Sequence, residues 1–559
     1  MGIPCYFSHI VKSYKGVIKV FEDALVCDNL YFDGNSIIYD ELRVMDNKDT
    51  IENTINKLIH NVCKKLELYI NEIKPKRKVF ICFDGVAPIA KLEQQRGRRY
   101  KSTIEREFYK EYWGNIEKTR ALMPEEISHP TRKQLYGKID TNIITPGTWF
   151  YEQLNLYCKN YFDENKKNEY CIDELVFSGS DCAGEGEHKI FEKIRNEKSY
   201  HQHTKTFVYG IDSDLIMLGL NHTLMSDFNI YLYRETPHFI QSIDKNLEPN
   251  RTYVVDIPKL ALSIMNYLSG DETICKSKVH DYIFLCFMLG NDFVPKIPSI
   301  NIRRNGVDYI LKAYKQITNK SNQNIINGLS INWKMLGKIV QFMSNIEELV
   351  LQKECNYRNK IALEHKVESE KWFEYDIARY FNSTPFMVRN SETNINPYKK
   401  GWQDRYYEVL FKTNDVEKIC HNYLESMEWC YYYYSNGCCD KTWYYGYNYG
   451  PLLTDLVLHL PTYQSKLQPT ICTKQNISEL CLLCYVTPQV NLRELVPLPI
   501  ASLLLEAHPE WYQSEWNMEY SFCTYTWESH TIACKIDIQE LQRLVESCKS
   551  AKKLPKKMN

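Results

Sequence analysis

The amino-acid sequence predicts an α/β fold, in which a mostly parallel central sheet is flanked by helices and an additional helical, aromatic-rich C-terminal region packs on it. Over the first 315 residues, short apolar runs alternate with helical patterns, as right-handed βαβ crossovers require. After residue 397 the composition shifts to Trp, Tyr and Cys. Four apolar runs are predicted to be buried parallel strands, at 30–33, 79–84, 174–178 and 207–212.

Length and charge narrow the possible classes of protein. The chain has 559 residues, enough for about three or four domains of roughly 100–200 residues. With 44% hydrophobic and 25% charged residues, the composition is that of a globular protein and not of a disordered one. The 69 basic and 70 acidic residues nearly cancel. This balance excludes a uniformly basic surface, so any nucleic-acid site must come from local segregation of charge.

Two polar stretches, 318–331 and 381–397, are loop-like and mark the predicted domain boundaries. They separate a first core region from a connecting region of helices and loops, and that region from a second core region rich in Trp and Tyr. A basic tail follows. The predicted boundaries are 1–317, 318–397, 398–548 and 549–559.

The cysteines and the apolar runs bear on location. No apolar run reaches the roughly 18 residues of a membrane span, and the first twenty residues are too polar for a secretory signal. Twenty cysteines without such a signal predict reduced thiols and a cytoplasmic location, with the nucleus as the alternative. Cys481 and Cys484 form one C-x-x-C pair. Without a second pair nearby, we interpret them as small apolar residues on one helix face and not as zinc ligands.

Acidic residues follow the apolar runs. Asp33, Asp84 and Asp212 each close a predicted strand, and side chains at the carboxyl ends of parallel strands can converge on one crevice. Glu185 and Glu187 are two residues apart and cannot share a helix face, which favours an extended or first-turn segment. The complete set of candidate catalytic and metal-binding residues is Asp33, Asp84, Glu185, Glu187, Asp212, Asp214 and Asp292.

Carboxylates gathered in one crevice would repel one another unless divalent cations neutralised them. Oxygen ligands suit Mg²⁺ or Mn²⁺. Two such ions, about 3.5–4 Å apart, can activate water and stabilise the leaving oxygen of a phosphodiester. The alternative is that each acid is a helix cap or a turn residue.

A basic helix face follows Asp84. If residues 89–101 are helical, spacings of three and four residues place four side chains on one face. Guanidinium groups grip phosphate oxygens in pairs, and lysine adds a point charge, so this face suits a terminal phosphate. The alternative is a solvated charged helix. The four residues are Lys91, Gln95, Arg98 and Arg99.

With these acids and this basic face, the sequence resembles the XRN family of 5′→3′ exoribonucleases. The resemblance extends over nearly the whole chain, from the first residues to the Tyr-rich region. The matching segments include MGIP at 1–4, DNLYFDGN at 28–35, QQRGRR at 94–99, GEGEHK at 184–189, GIDSDLIML at 210–218, FLCFMLGNDFVP at 284–295 and WYYGYNYGP at 443–451.

The resemblance implies a PIN/FEN-like nuclease core and a two-metal enzyme, dependent on Mg²⁺ or Mn²⁺, that removes mononucleotides from the 5′ end of single-stranded RNA. All seven acids match the family's metal-binding positions. Lys91, Gln95, Arg98 and Arg99 match its 5′-monophosphate pocket. Residues 2–4 are expected to pack close to the active site. Since the chain ends soon after the family's core, it is expected to be a minimal form.

Two aromatic residues are the candidates for base stacking. Tyr39 stands where the family has a histidine, and an aromatic ring at this place can still stack on a base. Trp443 corresponds to the family's stacking tryptophan, although most of the aromatic-rich stretch is expected to be core. His188 and Lys189 either contact phosphate or begin a helix.

Two other functions remain open at this stage. The first is a flap endonuclease that acts on DNA and clusters acids in a similar sheet. The second is a non-catalytic RNA-binding scaffold. The segments GEGEHK and QQRGRR favour the exoribonuclease, and the seven acids argue against a scaffold.

Overall fold

The structure of the chain is a computed structural model. It describes residues 2–21, 25–45, 50–120, 140–235, 240–248, 251–269, 276–319, 323–461, 466–467, 477–513 and 517–550. Of the predicted basic tail 549–559, the first two residues belong to the helix Ile538–Ser550, and residues 551–559 lie outside the described residues.

Seven strands form one sheet. In chain order they are β1 (Ile18–Val20), β2 (Asn29–Asp33), β3 (Lys78–Cys82), β4 (Glu174–Ser178), β5 (Lys205–Tyr209), β6 (Asn229–Glu235) and β7 (Thr252–Asp256). Their order in the sheet is β1-β7-β6-β5-β2-β3-β4. The pairs β3/β4 and β5/β6 are parallel, whereas β7 is antiparallel to both β6 and β1. The predicted α/β class is confirmed, and the antiparallel strands at one edge are an addition.

All four predicted strands are present; β4 has the predicted bounds, and the ends of the other three differ by at most three residues. β3 ends at Cys82 and β5 at Tyr209, so Asp84 and Asp212 lie in the loops just beyond their strands. Every residue of β2 is buried, as expected for a strand covered on both faces. The prediction of burial is wrong for β4, which is only partly buried along its length. It is the last strand of the sheet and has a neighbour on one side only.

The chain divides into two compact units. The first unit comprises Met1–Tyr31, Glu187–Lys474 and Glu519–His530, and the second comprises Phe32–Gly186, Gln475–Met518 and Thr531–Asn559. Each unit is described by itself below.

The first unit is mainly helical outside its strands. Its helix Val416–Asn436 carries the predicted Tyr-rich run and is buried along most of its length, including Trp429 and Tyr434. The helix Gly186–Asn196 belongs to this unit from its second residue onward. The other α-helices of the unit are Tyr6–Ser13, Lys198–Gln202, Asp214–Ser226, Ile240–Ile243, Ile257–Ser269, Ser277–Cys286, Gly306–Thr318, Trp333–Ser344, Glu347–Tyr375, Ile377–Asn382, Thr384–Met387, Asn390–Ile395, Trp402–Phe411, Val416–Asn436 and Leu453–Leu458.

Short elements complete the first unit. A small hairpin pairs two strands of two residues. The short strands and 3₁₀ helices are Ile326–Asn327, Ser330–Ile331, Phe287–Leu289, Ile302–Arg304 and Thr526–Glu528. Two further short strands, Asn517–Glu519 and His530–Ile532, lie at the points where the chain passes from one unit to the other.

In the second unit, the helix Ile51–Ile73 begins after Thr50, whose hydroxyl accepts from the backbone N–H of Asn53. This is the usual chemistry of a helix N-cap. Its apolar positions Leu58, Val62 and Leu66 recur every four residues and are fully buried. The helices of this unit are Asn35–Val44, Ile51–Ile73, Ile89–Arg120, Thr141–Ile143, Trp149–Tyr161, Glu164–Glu169, Glu479–Val486, Gln489–Leu495, Leu498–Ala507, Pro509–Tyr512 and Ile538–Ser550.

The stretch 381–397 is not a loop, as its polar composition suggested. It contains the short helices Thr384–Met387 and Asn390–Ile395. Burial of a charged pair explains the difference, because Glu392 lies 2.7 Å from the guanidinium of Arg358 and both residues are buried. A polar sequence is therefore compatible with a packed segment when its charges are paired.

The cysteines and the helix lengths agree with what the sequence predicted. Cys481 and Cys484 are both buried in the helix Glu479–Val486, and all eighteen cysteines among the described residues are free thiols. Within the described part of the chain, every helix is too short or too polar to traverse a lipid bilayer.

Candidate active site

Asp33 and Asp84 face the same glycine in the second unit. The backbone N–H of Gly186 donates to Asp84 Oδ1 at 2.7 Å. A Cβ added to Gly186 would lie 2.7 Å from Asp33 Oδ1 and 3.5 Å from Asp84 Oδ1. The missing side chain of Gly186 therefore gives room for both carboxylates, and the two strand-end acids are close together, as the sequence predicted.

Asn35 orients Asp84 from the first turn of the helix Asn35–Val44. Its amide nitrogen donates to Asp84 Oδ2, and its amide oxygen accepts from the backbone N–H of Asp84 at 3.1 Å. The same oxygen accepts from the hydroxyl of Tyr151 at 3.2 Å. Sequence reasoning missed Asn35, although its position two residues after Asp33 was a usable signal.

Glu185 precedes the helix Gly186–Asn196, and Glu187 lies in its first turn, which confirms the predicted local structure. His188 and Lys189 belong to the same turn, so they begin a helix.

These residues fit a divalent cation. Asp33, Glu185 and Glu187 are buried and Asp84 is half-buried, and buried carboxylates need compensating positive charge. Their donor atoms are oxygens, the ligands preferred by hard cations such as Mg²⁺ and Mn²⁺. The buried acidic cluster is therefore suited to divalent metal binding.

One contact was not predicted. Lys91 Nζ lies 2.6 Å from Glu185 Oε2, and the two side chains are 9% and 1% exposed. The sequence assigned Lys91 to a phosphate and Glu185 to a metal. In the structure these two side chains form a buried ion pair with each other.

The basic face lies on the helix Ile89–Arg120, so its predicted helical spacing is correct. Arg98 is exposed, whereas Gln95 and Arg99 are half-buried. The Nη1 atom of Arg99 is buried without a hydrogen-bond partner among the described residues. Burial lowers the pKa of Arg99, and the hydroxyls of Tyr39 and Tyr151 act in the opposite direction.

Tyr39 lies near both the arginines and an acid. Although the residue is 37% exposed, desolvation of its hydroxyl raises its pKa, an effect that Arg99 and Arg98 oppose and Asp84 reinforces. For Tyr151, burial and Asp84 raise the pKa and Arg99 lowers it. The charges of Asp84 and Arg99 therefore both act on these two phenols. The basic helix face thus lies near the acids of this unit.

In the first unit, Asp214 is the first residue of the helix Asp214–Ser226. Its Oδ1 accepts a hydrogen bond from the hydroxyl of Tyr434 at 2.6 Å. Burial raises the pKa of Tyr434 well above its usual range, and the charges of Asp214 and Asp292 add to this effect. Asp214 and Asp292 therefore both lie near Tyr434, a residue that the sequence did not single out.

The N-terminal segment lies against Asp214. Gly2 has a φ of +54°, and a Cβ added to it would lie 2.2 Å from Asp214 Oδ1. The hydroxyl of Ser213 donates to the carbonyl of Ile3 at 3.1 Å. Any larger residue at position 2 would displace the carboxylate of Asp214.

Asp212 has a buried basic neighbour. Arg234 is 6% exposed, and its guanidinium lies 3.8 Å from the ring centre of Phe7. Burial lowers the pKa of Arg234 to about 10, and the charge of Asp212 acts in the opposite direction. Sequence reasoning missed Arg234, because no recognisable motif surrounds it in β6.

Asp292 follows a tight turn. Gly290 has a φ of +86°, and a Cβ there would lie 2.8 Å from the backbone nitrogen of Lys296, so only glycine fits. The side-chain oxygen of Asn291 accepts from the backbone N–H groups of Phe293 and Val294 at 2.9 and 2.8 Å. These bonds fix the loop that carries Asp292.

A column of rings in the first unit ends at Trp443. His188 stacks on Tyr433 with ring centres 3.6 Å apart, Tyr433 lies 5.0 Å from Trp429, and Trp429 stacks on Trp443 at 5.4 Å. The first three rings are buried, whereas Trp443 is half-buried. Most of this region is core, as expected.

Family models match most of the chain. The model described as "XRN 5'-3' exonuclease N-terminus" matches residues 1–236, and the model described as "Xrn1 helical domain" matches residues 275–396 and 387–475. The chain belongs to the XRN family. This membership agrees with the segments that carried the resemblance in the sequence.

Relatives of this XRN-family chain include the 5′-3′ exoribonuclease 1 of Homo sapiens, 26% identical over 100% of this chain and 35% of the relative. The 5′-3′ exoribonuclease 1 of Saccharomyces cerevisiae is 24% identical over 82% of this chain and 37% of the relative. The 5′-3′ exoribonuclease 2 homolog of Drosophila melanogaster is 24% identical over 82% and 61%. The chain thus spans about a third to three fifths of the length of these relatives.

Among solved structures, the T5 D15 protein co-crystallised with metal ions aligns with a TM-score of 0.25 and 12% identity, over 58% of this chain and 85% of that chain. This likeness is too distant to bear on function.

Proposed function

We propose that this chain is a metal-dependent 5′→3′ exoribonuclease that hydrolyses single-stranded, 5′-monophosphorylated RNA to mononucleotides. Its relatives are named 5′-3′ exoribonucleases, and the site has the chemistry that this reaction needs. The observation that carries the proposal is the position of Asp33 and Asp84 around Gly186, whose backbone N–H lies 2.7 Å from Asp84 Oδ1, near a helix face that presents Arg98 and Arg99.

The seven acids named from the sequence would hold two Mg²⁺ or Mn²⁺ ions. When bound, such ions stabilise the charge that develops on a phosphoryl group and make water a better nucleophile. The chain's own contribution is orientation. Asn35 and the Gly186 N–H fix Asp84, and Tyr434 fixes Asp214, so the carboxylates need little rearrangement on binding.

Lys91, Gln95, Arg98 and Arg99 would bind the 5′-monophosphate. Arg99 supports this role, because its buried Nη1 has no hydrogen-bond partner within the described part of the chain and can donate to a phosphate oxygen in a charge-assisted hydrogen bond. A pocket of this kind favours a monophosphate over a capped or triphosphorylated end when its size admits only one phosphate. Selectivity for the 5′ group would then follow from the pocket.

Tyr39 and Trp443 would stack on the first bases of the RNA. Tyr39 is 37% exposed, and Trp443 is half-buried with a tryptophan behind it, so each ring has an accessible part. Base–aromatic stacking contributes about 1–3 kcal/mol per base and tolerates any sequence. Unpaired bases are required for such stacking, which favours single strands.

A nuclease assay on matched RNA and DNA oligonucleotides with 5′-monophosphate, 5′-triphosphate or 5′-hydroxyl ends tests the proposal. We expect mononucleotide products from 5′-monophosphorylated RNA in Mg²⁺, and none after chelation. Release of an oligonucleotide flap from branched DNA would favour a flap nuclease instead. Binding of RNA without cleavage would favour a scaffold.

A variant separates catalysis from binding. Asp212→Ala should abolish cleavage and leave RNA binding nearly unchanged, because the remaining contacts to RNA come from other side chains. Full turnover by this variant would contradict the assignment of the metal site.

We also propose that the protein works in the cytoplasm. The eighteen free thiols among its described cysteines suit a reducing compartment, and the nucleus would offer the same conditions.

A further inference from the structure

The contact between Lys91 and Glu185 joins two sites that the proposed function treats as separate. Lys91 belongs to the proposed phosphate pocket and Glu185 to the proposed metal ligands, yet Nζ and Oε2 lie 2.6 Å apart. We propose that Lys91 exchanges between Glu185 and the RNA 5′-phosphate, so that divalent cations and 5′-phosphorylated RNA bind cooperatively. This inference rests on the proposed function.

Burial makes the contact different from a surface ion pair. The side chains of Lys91 and Glu185 are 9% and 1% exposed, so neither charge can be left to water. An ionised group in such a place needs a partner of opposite charge. If Lys91 leaves, another cation must neutralise Glu185.

Glu185 has an alternative partner in the proposed function, where it is a metal ligand together with Asp33 and Asp84. It directly precedes Gly186, whose backbone N–H donates to Asp84 Oδ1 at 2.7 Å. A divalent cation held there would satisfy Glu185 and compete with the ammonium of Lys91. The ion pair and the metal complex are therefore two alternative ways to neutralise the same carboxylate.

Lys91 has an alternative partner as well. It lies four residues before Gln95 on the helix Ile89–Arg120, on the face that also carries Arg98 and Arg99. A lysine side chain is a flexible stem with three rotatable donors. The ammonium can therefore turn from Glu185 to a phosphate bound on the same helix face without a change in the backbone.

Each binding event then favours the other. A cation on Glu185 releases Lys91 for the phosphate, and a phosphate that binds Lys91 releases Glu185 for the cation. Thermodynamic linkage requires both effects to have the same size. A strictly structural ion pair would show neither effect.

Binding measurements without cleavage test the exchange. The probes are a 3′-fluorescein 2′-O-methyl RNA with a 5′-monophosphate or a 5′-hydroxyl end, titrated with the full chain in Ca²⁺ or in EDTA and followed by fluorescence anisotropy. For the wild type, we expect Ca²⁺ to raise the preference for the 5′-monophosphate at least about fivefold, the lower end of typical coupling.

Two variants break the exchange in opposite ways. In Lys91→Met the 5′-phosphate preference should fall and no longer depend on Ca²⁺, while Mn²⁺ should bind more tightly because its competitor is gone. In Glu185→Gln the preference should be high with or without Ca²⁺, because Lys91 has lost its carboxylate. The exposed Lys110→Met on the same helix is the matched control and should behave as the wild type.

The outcomes separate this inference from the proposed function. If the wild type prefers the 5′-monophosphate equally with and without Ca²⁺, and Lys91→Met binds Mn²⁺ no more tightly, the exchange is wrong and the phosphate pocket stands. If the wild type shows no preference for any 5′ end, the pocket itself is wrong. Thermal unfolding of each variant verifies folding, and Glu185→Gln still decides the question if Lys91→Met does not fold.

Discussion

In the second unit Asp84 is held by nitrogen donors, whereas in the first unit Asp214 is held by a phenol. Asp84 accepts from the Gly186 N–H and the Asn35 amide, and Asp214 accepts from the Tyr434 hydroxyl at 2.6 Å. Asn35 is locked in turn, because its oxygen accepts from Asp84 N–H and from Tyr151. The two acids therefore differ in the chemistry that orients them: amide nitrogens in an interlocked network for Asp84, and a phenol hydroxyl among the contacts of Asp214.

The largest effect should come from the acids themselves. Asp84→Asn keeps the shape of the side chain and removes its charge, and metal coordination contributes several kcal/mol to the transition state. At 1.36 kcal/mol per tenfold change in rate, we expect RNA cleavage to fall about 10³-fold. Cleavage rates of purified variants measure this, with the exposed Asp181→Asn as a control that should cleave at the wild-type rate. Wild-type turnover by Asp84→Asn would exclude Asp84 from the site.

The residues that orient the acids should differ in their effect between the two units. Asn35→Ala removes bonds to both the side chain and the backbone of Asp84, and changes of this kind usually cost 10–100-fold in metal affinity or activity. Tyr434→Phe removes one donor to Asp214 and keeps the buried ring, so we expect about a tenfold loss, the lower end of the same range. Mn²⁺ affinity and cleavage rate should fall together in each variant. A larger loss in Tyr434→Phe than in Asn35→Ala would reverse the comparison.

The smallest effect concerns the stability of the first unit and not its chemistry. His222 is fully buried and faces Arg195 Nη1 at 2.9 Å, the Leu218 carbonyl at 2.8 Å, the Phe191 ring and the more distant His280. Burial, reinforced by Arg195, lowers the pKa of His222 to about 3, below the roughly 6.5 of an unfolded chain. The unfolded state therefore binds the proton first, and stability is lost as the pH falls below 6.5.

Between pH 7 and pH 5 this group should lower the free energy of unfolding by about 2 kcal/mol. Urea unfolding at the two pH values measures this fall in the free energy of unfolding. In His222→Gln the fall should be smaller by about 2 kcal/mol. The exposed His60→Gln should keep the wild-type pH dependence. An equal loss in wild type and His222→Gln would show that another group is responsible.

Local patterns in the sequence were enough to predict the four strands and the acids that follow them. Apolar runs predict β2 and β3, and the loops after them begin within two residues of the predicted ends. The helical spacing of Lys91, Gln95, Arg98 and Arg99 was likewise readable, because a helix on 89–120 fixes which residues share a face. These features depend only on neighbours in the chain.

Partners from distant parts of the chain could not be predicted. Tyr434 lies 220 residues from Asp214, and within a run of four tyrosines nothing marks the one that bonds an acid. Arg234 stands near Asp212 because β5 and β6 pair in parallel, a register that hydropathy does not reveal. The ion pair of Lys91 with Glu185 required two segments, each predicted correctly, to be placed together in space.

We propose that the acidic residues named from the sequence bind a pair of divalent cations. Titration of the purified chain with Mn²⁺, followed by electron paramagnetic resonance, counts these ions directly. We expect two bound ions per chain in the wild type and fewer in Asp84→Asn, with Mg²⁺ displacing Mn²⁺ from both sites. A wild-type chain that binds no Mn²⁺ at millimolar concentrations, or an Asp84→Asn variant that still binds two ions with unchanged affinity, would contradict it.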